Sequence, residues 1–291
     1  MNPPNGVLPV DKPVGLSSHD VVAVARRALG ERRIGHTGTL DPFASGLLLL
    51  CLGPATRLSE YLTGLPKSYR ATMRLGVTTD TDDTEGTVVQ VSDSWGSVTR
   101  EAVAAAMEGM TGPLLQRPPR YSAKKVGGER AYAAARAGRD LVLEPVPVCI
   151  SRFEILRFDA PEVEFEVDCS SGTYIRSIAR DLGELLGVGA HLTALRRTRV
   201  GERSVEGALP LDALGDAAAV KAAMISPADA VDHLPAFVLD DQEMSSITHG
   251  GSFIREGEIP AGVLVLLSPE RQLLAIGEGD GERIRPRKVF L

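Results

Sequence analysis

The chain has 291 residues and 43% of them are hydrophobic, so division by about 150 residues per domain predicts two domains with buried cores. Its longest uninterrupted apolar run covers residues 47–52, far short of the roughly 20 residues that span a bilayer, and its first residues lack a signal-peptide pattern. We therefore expect no membrane anchor and no signal peptide. Three scattered cysteines, Cys51, Cys149 and Cys169, form no CxxC pair, which favours a reducing, cytoplasmic setting.

Charge is unevenly distributed along the chain. The formal net charge of -6 and the isoelectric point near 5.5 argue against a protein that binds nucleic acid through its overall charge alone. The stretch 116–139, however, has one anion, Glu129, and a local charge of +6. We call residues 116–139 the basic stretch. Its cations are Arg117, Arg120, Lys124, Lys125, Arg130, Arg136 and Arg139.

The first part of the chain predicts a helix followed by a long loop. Ser17 or Ser18 can cap a helix with apolar residues at helical spacing, and Gly30 is placed to end it. Residues 31–46 contain three glycines and a proline without periodicity, and loops of that length are usually functional. The apolar run that follows at 47–52 predicts a buried element.

The middle of the chain mixes strand and helix patterns without a regular βαβ order, which favours an α+β domain. Period-two alternation predicts strands and helical spacing predicts helices. The acidic turn TDTDDTEG joins the first two strands into a predicted hairpin. The strands cover 69–77, 87–91, about 146–157 and 163–169, and the helices run from Thr99 to Gly112 and through the segment after the turn at 170–173.

From about Leu234 the pattern changes to short apolar strands separated by turns that contain glycine and proline. This pattern predicts a small β-rich module at the C-terminal end. We place the boundary so that residues 1–230 form the main domain and residues 231–291 form the module.

Several kinds of chemistry have no support in the residue spacing. The five histidines never occur as HxxxH or HxxH and none lies beside a cysteine, so we expect no metal site. The glycine-bearing segments match neither a Walker A loop nor GxGxxG, so we expect no nucleotide cofactor. A GxSxG nucleophile elbow is also absent from the sequence.

Taken singly, the remaining candidates have ordinary structural interpretations. Asp41 precedes Pro42, and in such a turn a carboxylate often caps its own backbone. His36 can be a loop residue bonded to backbone, Arg176 a solvated charge beside an apolar stripe, and Tyr174 an aromatic residue at the start of a helix. None of them alone identifies a site.

Six segments taken together closely resemble the bacterial tRNA pseudouridine-55 synthase (TruB) family. They occur in the family's order and cover most of the first 210 residues. The GHTGTLDP motif is specific to that family, whereas DKPxGxSS is shared more widely among pseudouridine synthases. The segments are DKPVGLSSHDVV (11–22), RRIGHTGTLDPFASGLLLLCLGPATRL (32–58), KSYRA (67–71), PPRYSAKKVGGERAYAAARAG (118–138), SSGTYIRSIARDLG (170–183) and GAHLTALRRTRVG (189–201).

The resemblance implies a pseudouridine-synthase fold, in which a bent, mixed and mainly antiparallel sheet of two related halves has flanking helices and a central catalytic cleft. It implies a PUA-like RNA-binding module at 231–291. The implied reaction isomerises the uridine at position 55 in the T-loop of tRNA, replacing the N1–C1′ glycosidic bond by C5–C1′ without a cofactor. The implied partner is tRNA, and we expect a monomer with no obligatory protein partner.

The resemblance also assigns catalytic roles. Asp41 matches the catalytic aspartate, and Arg176 the arginine that keeps it ionised and oriented. An ionised carboxylate can add to the base or to the sugar, or stabilise positive charge as the glycosidic bond breaks, and the sequence does not choose among these routes. Tyr69 matches a tyrosine that stacks on the target base. Proton transfer is its second possible role, because a phenol with a pKa near 10 is a poor base.

Further residues match substrate contacts. The target base must leave its stack at a cost of a few kcal/mol, and His36 matches the residue that occupies the vacated space. Tyr174 and Leu195 match residues of the uracil pocket, while Lys12 and Pro13 belong to a motif that supports the catalytic loop.

The basic stretch matches a mobile segment that closes over the T-loop. Arg120, Lys124 and Lys125 are its candidate phosphate contacts, which carry no base information. The C-terminal module is expected to contact the acceptor end of tRNA.

The sequence leaves two other functions open. One is a tRNA-binding and folding protein in which catalysis is secondary or lost, although pure binding would not require the set Asp41, Tyr69 and Arg176. The other is the same isomerisation on a different RNA, including the guide-directed type that acts on ribosomal RNA. The basic stretch and the compact chain argue against this third function.

Neutralising Arg120, Lys124 and Lys125 together should weaken RNA binding and flatten its salt dependence by up to about three phosphate contacts. The measurement is the slope of the logarithm of the binding constant against the logarithm of the salt concentration. An unaltered slope would show that these side chains do not contact the RNA backbone.

Overall fold

The computed structural model describes residues 4–122, 124–126, 129–130, 134, 139, 141–254 and 259–290. Within these residues the strands are β1 Gly6–Lys12, β2 Ile34–His36, β3 Ser45–Leu52, β4 Lys67–Leu75, β5 Val77–Thr79, β6 Val88–Val91, β7 Gly112–Gln116, β8 Lys125–Val126, β9 Glu129–Arg130, β10 Val146–Asp159, β11 Glu162–Cys169, β12 Ala190–Val200, β13 Arg203–Ser204, β14 Leu209–Pro210, β15 Ala236–Val238, β16 Phe253–Ile254, β17 Gly262–Leu267, β18 Leu273–Gly279 and β19 Arg283–Val289.

Helices flank these strands along the described chain. The α-helices are α1 Ser18–Leu29, α2 Ser59–Thr63, α3 Arg100–Gly109, α4 Ile175–Leu185, α5 Ala217–Ala223, α6 Pro227–Ala230 and α7 Asp241–Thr248, and short 3-10 helices lie at Gly53–Leu58, Asp93–Ser97, Val205–Gly207 and Leu211–Gly215. None of the described helices has the length and apolar character needed to cross a membrane.

The main sheet has the order β14-β1-β3-β12-β4-β11-β10-β7, with β2 paired to β3 and β13 paired to β12. The pairs β1/β14 and β3/β12 are parallel, and the others are antiparallel. This mixed, mainly antiparallel sheet with its flanking helices confirms the predicted α+β class. The hairpin β5–β6 and the pair β8–β9 form separate small sheets.

A short seam joins the two halves of the main sheet. Strands β3 and β12 pair only at Ser45 with Arg196 and at Gly46 with Arg197. Gly46 has a φ of 105°, and a Cβ built on it would lie 2.2 Å from the carbonyl oxygen of Arg197. Only glycine fits this approach, because any side chain would collide with the neighbouring backbone. The loop 37–44, which carries Asp41, leads directly into the seam.

Separate apolar cores cover the two halves. The core over β1 and β3 includes Val21, Val22 and Ala25 of α1. The core over β4 and β11 includes residues of α3 and α4 together with Leu40 and Phe43 of the loop 37–44. The loop therefore takes part in the packing of the half that it faces, and this burial restricts its movement.

Local signals account for the helix boundaries. Ser17 caps α1 in a reciprocal capping box with Asp20, and Gly30 ends the helix in the left-handed conformation at φ 64°. Thr99 caps α3, whose predicted end at Gly112 was wrong, since the helix ends at Gly109. Gly112 begins β7 instead.

Two other local predictions differ from the structure. The predicted loop 31–46 contains the strand β2, which is too short for periodicity to reveal. The predicted strand 69–77 ends at Leu75, because Gly76 has a φ of 81° and breaks it. The strand β5 after this break, and not β4, forms the hairpin with β6.

The C-terminal residues form a five-stranded sheet in the order β15-β17-β18-β19-β16. Apolar residues of these strands and Ile247 of α7 build its own core, as the predicted β-rich module requires. A second cluster joins the module to the main domain, where Val231, Val265 and Ile276 pack against Ala55 and Leu58. The predicted boundary after residue 230 coincides with the end of α6 and stays a prediction.

Gly46→Ala should lower the free energy of unfolding by roughly 3 kcal/mol, because the new Cβ adds a collision to the cost of positive φ. Gly112→Ala is the matched control, since its φ is 102° and a Cβ there meets nothing within 4 Å. The control should cost about 1 kcal/mol. Urea denaturation of both variants measures the difference, and equal losses would contradict the importance of the close approach.

Candidate active site

A cleft of about 800 Å³ opens between the loop 37–44, strands β4 and β12, and the first turn of α4. Residues 59–64, 121 and 122 also contribute to its walls, so six separate parts of the chain line it. Six of the site residues expected from the sequence line it, namely His36, Asp41, Tyr69, Tyr174, Arg176 and Leu195.

The central contact of the cleft is an ion pair between Asp41 and Arg176. The distance from Arg176 Nε to Asp41 Oδ2 is 3.0 Å, and the Arg176 side chain is 7% exposed while that of Asp41 is 35% exposed. The arginine is thus buried, whereas the carboxylate can be reached from the cleft. Such a pair keeps an anion oriented at the surface that a bound molecule contacts.

The other nitrogens of Arg176 are also used. Nη1 donates to the carbonyl oxygen of Thr81 at 2.9 Å and lies 3.3 Å from Asp83 Oδ2. Nη2 donates to the carbonyl oxygen of Tyr121 at 3.0 Å. All three nitrogens of the guanidinium therefore have partners, and its orientation toward Asp41 is fixed.

Asp83 is a second carboxylate of this network, and the sequence did not single it out. It is 2% exposed, and its Oδ1 accepts from Thr81 Oγ1 at 2.6 Å and from the Glu85 amide at 2.9 Å. In the sequence it is one of several acidic residues of a predicted turn. No local pattern distinguishes it, because its partner Arg176 lies far away in the chain.

Burial and two neighbouring charges set the pKa of Asp41, and they act in opposite directions. Burial in the cleft raises the pKa of Asp41 above its ordinary value, Arg176 lowers this pKa, and the like charge of Asp83 raises it. The net shift is upward. Arg176 therefore offsets only part of the cost of burying the charge.

The loop that carries Asp41 is held from below by the DKPVGLSS segment. The Gly15 amide donates to the carbonyl oxygen of Pro42 at 2.8 Å. The Ser18 hydroxyl bonds both the amide and the carbonyl oxygen of Leu40. Arg197 adds a bond to the carbonyl oxygen of Gly38 at 3.1 Å.

Lys12 lies in this support and does not line the cleft. Its Nζ donates to the carbonyl oxygens of Pro13 at 3.0 Å and Leu16 at 2.6 Å. Burial lowers the pKa of Lys12 to about 8, although the charge of Asp41 acts in the opposite direction. The Lys12 side chain thus ties together the segment on which the loop 37–44 rests.

Tyr69 and Arg197 occupy neighbouring positions on the floor of the cleft. They are register partners on β4 and β12, and Tyr69 is 7% and Arg197 1% exposed. Burial raises the pKa of Tyr69, so an even smaller fraction of its phenol is ionised at neutral pH.

Sequence reasoning missed two cations that line the cleft, Lys67 and Arg197. Lys67 donates to the carbonyl oxygens of Thr63 at 2.9 Å and Leu65 at 2.7 Å, and burial lowers its pKa to about 8. The alternation of KSYRA could have found Lys67, because it places this residue on the same face as Tyr69.

His36 directly precedes the loop 37–44, and its ring lies against that of His19. The ring centroids are 5.3 Å apart in an edge-on arrangement, and Nδ1 of His36 is buried without a hydrogen-bond partner in the described part of the chain. Burial and the neighbouring His19 lower the pKa of His36. The lowered pKa favours the neutral form of the imidazole at pH 7.

The basic stretch is described only in part. Arg120 is exposed and Lys124 half-buried, and neither lines the cleft. The side chain of Lys125 lies outside the described residues, as does much of the stretch up to residue 138. Tyr121 and Ser122, at its beginning, form part of the cleft wall.

Comparison with known proteins identifies the family of this chain. Residues 26–175 match the model of the TruB family pseudouridylate synthase N-terminal domain, and residues 176–234 match the tRNA pseudouridylate synthase B C-terminal domain. The chain belongs to the TruB family. It is accordingly a pseudouridine synthase, which is an isomerase.

Bacterial relatives are similar over nearly the whole chain. A tRNA pseudouridine synthase B of Mycobacterium sp. is 44% identical over 289 residues, covering 96% of this chain and 94% of the relative. That of Paenarthrobacter aurescens is 42% identical over 299 aligned positions, covering 98% and 95%. That of Mycobacterium tuberculosis is 52% identical over 215 residues, covering 72% of each.

Solved structures share the fold. A chain of an H/ACA RNP bound to a substrate RNA containing 2'-deoxyuridine has a TM-score of 0.76 at 27% identity, covering 98% of this TruB-family chain and 85% of that one. A chain of an archaeal box H/ACA sRNP has a TM-score of 0.75 at 28% identity, covering 98% and 86%. Both comparisons include the C-terminal module.

The described residues contain no group of three or more histidine, cysteine, aspartate or glutamate side chains arranged to hold a metal ion. The aspartate, glutamate, lysine and arginine side chains that line the cleft in the described part of the chain are Asp41, Glu60, Lys67, Arg176 and Arg197.

Two variants should shift the titration of Asp41 in opposite directions. Arg176→Gln should raise the pKa of Asp41 further, because the opposing cation is lost, and Asp83→Asn should lower it, because a like charge is lost. Carbon-detected NMR titration of the carboxylates measures both. Asp232→Asn, which removes an aspartate paired with Arg203 at 2.7 Å outside the cleft, should leave the titration unchanged, and shifts of the same sign would contradict this account.

Proposed function

We propose that this chain converts uridine to pseudouridine at position 55 in the T-loop of tRNA. The relatives named tRNA pseudouridine synthase B support tRNA as the substrate. The observation that carries the proposal is the Asp41 carboxylate, which is reachable from the cleft while Arg176 beneath it is buried. A cleft of about 800 Å³ is within the range that holds a small ligand or a nucleotide.

The reaction exchanges one bond for another within the same nucleotide. The N1–C1′ bond breaks, C5 of the uracil bonds to C1′, N1 gains a proton and C5 loses one. Asp41 can add to the sugar or the base, or stabilise positive charge during bond cleavage. Each route requires an ionised carboxylate, which Arg176 favours.

The target uridine must leave the stack of the T-loop to reach Asp41. In the proposal the neutral ring of His36 occupies the space that the base vacates. Tyr69 stacks on the base in the cleft, and Tyr174 and Leu195 form the walls of the uracil pocket. Recognition rests mainly on the shape of the T-loop and a few exposed base edges.

The remaining contacts involve the RNA backbone. In the proposal the basic stretch closes over the T-loop, with Arg120, Lys124 and Lys125 near phosphates. The C-terminal module contacts the acceptor end. The chain acts on tRNA as a monomer, without an obligatory protein partner, in the cytoplasm.

The similarity to chains of H/ACA particles favours a second candidate, the same isomerisation on another RNA under the direction of a guide. A protein that only binds and folds tRNA is a third candidate. Activity of the purified chain on tRNA, without any other component, separates the first candidate from both others.

The experiment follows tritium release from tRNA transcripts labelled at uracil C5. The wild type should release tritium in proportion to isomerisation, and Asp41→Asn should abolish release while tRNA affinity stays within about tenfold, because little binding surface is lost. Asp232→Asn is the control, since it also removes a carboxylate from an arginine pair and should keep its activity. A transcript in which only uridine 55 is replaced tests the position.

Unchanged turnover of Asp41→Asn would reject the assignment of the aspartate. Release from the transcript without uridine 55 would reject the position. Absence of release by the wild type despite tight tRNA binding would favour the binding and folding function.

A further inference from the structure

Gln116, the last residue of β7, lies where the basic stretch begins, and its side chain is fully buried. A buried primary amide has both donors and an acceptor to satisfy, and leaving them unpaired would cost stability. Both sides of this amide bond one residue that lies 58 positions later in the chain. Nε2 donates to the carbonyl oxygen of Tyr174 at 3.0 Å, and Oε1 accepts from the Tyr174 amide at 2.8 Å.

Tyr174 is the N-cap residue that immediately precedes α4, and no side chain makes a capping hydrogen bond to this end of the helix from its own turn. The amide of Gln116 therefore satisfies a backbone N–H that a capping box would otherwise satisfy. A donor and an acceptor held side by side match the N–H and C=O of one residue. Glutamate would lose the donor, and an apolar residue of the same length would lose both bonds.

Three more hydrogen bonds fix the residues after Gln116 to the same helix. The carbonyl oxygen of Arg117 accepts from Ser177 Oγ at 3.0 Å and from Arg180 Nη2 at 2.9 Å. The carbonyl oxygen of Tyr121 accepts from Nη2 of Arg176 at 3.0 Å. The start of the basic stretch thus follows the first two turns of α4.

These contacts meet at the guanidinium that holds the catalytic candidate. Arg176 bonds Tyr121 through Nη2 and Asp41 through Nε, so a shift of the segment 116–121 would move one partner of the ion pair. Gln116 itself does not line the cleft. Its influence on the reaction passes through its neighbours, which are Tyr174 with the first turn of α4 and the following residues 117–122.

We propose that Gln116 is a positioning residue, which fixes the start of the basic stretch to α4 and thereby sets Tyr174 and Arg176 relative to Asp41. The inference rests on the proposed function for its catalytic consequence. The described start of the basic stretch, residues 116–121, is then coupled to the first turns of α4. Gln116 carries no substrate contact of its own.

The test compares Gln116→Met, which keeps the length of the side chain and loses both hydrogen bonds, with Gln116→Glu, which keeps an acceptor for the Tyr174 amide. Rates are measured over a range of tRNA concentrations up to saturation. Gln116→Met should lower kcat by on the order of 10- to 100-fold while KM stays within about twofold, because misalignment affects the reacting groups more than the binding surface. Gln116→Glu should recover part of this loss.

Asn5→Ala is a matched control, because the Asn5 side chain also makes a long-range bond to a backbone amide, that of Ala55 at 3.1 Å, away from Gln116. It should leave kcat and KM unchanged. A kcat of Gln116→Met equal to that of the wild type, or an equal loss in Asn5→Ala, would overturn the proposal.

Hydrogen–deuterium exchange without RNA separates this proposal from the proposed function. Gln116→Met should increase exchange together in residues 117–122 and in residues 174–177, whereas Asn5→Ala should change neither. If the wild type fails to isomerise tRNA, the proposed function is rejected. The joint change in exchange still supports the coupling between the residues after Gln116 and the start of α4. Increased exchange in only one of the two segments would reject it, and Gln116→Glu supplies the same measurement if Gln116→Met does not fold.

Discussion

The buried guanidinium of Arg176 is the interaction on which the site depends. A charge taken out of water is tolerated only when its donors are matched, and here four partners come from three places in the chain: Asp41, Thr81 with Asp83, and Tyr121. The loop 37–44, the acidic turn and the start of the basic stretch therefore share one anchor. The cost of burying the cation is offset by two carboxylates, one of which stays accessible to the cleft.

The seam between β3 and β12 positions the loop that brings Asp41 to Arg176. Because the two halves of the main sheet pair at only two positions there, the loop that leads into the seam faces the opposite half and contributes Leu40 and Phe43 to its core. The close approach at Gly46 and the bonds of Arg197 to Leu47 and Gly38 hold the loop at this point. Fold and site consequently depend on the same few backbone contacts.

Local patterns in the sequence predict the elements whose signals are local. A capping serine and helical spacing identify α1, helical spacing identifies α4, and alternation identifies β4 and β11, whereas β2 is too short to show a period. The motif resemblance brings together Asp41, Tyr69 and Arg176. Asp83, Arg197 and Gln116 were missed, because each acts through a partner that is distant in the chain and polar residues of their kinds are common on surfaces. Only the folded arrangement distinguishes them.

The hydrogen bonds beneath the loop 37–44 determine whether the protein or the RNA must be ordered when the two bind. Gly15, Ser18 and Arg197 bond the backbone of the loop at successive points, so its residues have little entropy left to lose when a substrate arrives. In the proposed reaction the ordering cost then falls on the nucleic acid. An RNA whose target base unstacks easily is favoured over one of the same sequence that is held rigid, which makes the deformability of the substrate a criterion of selection.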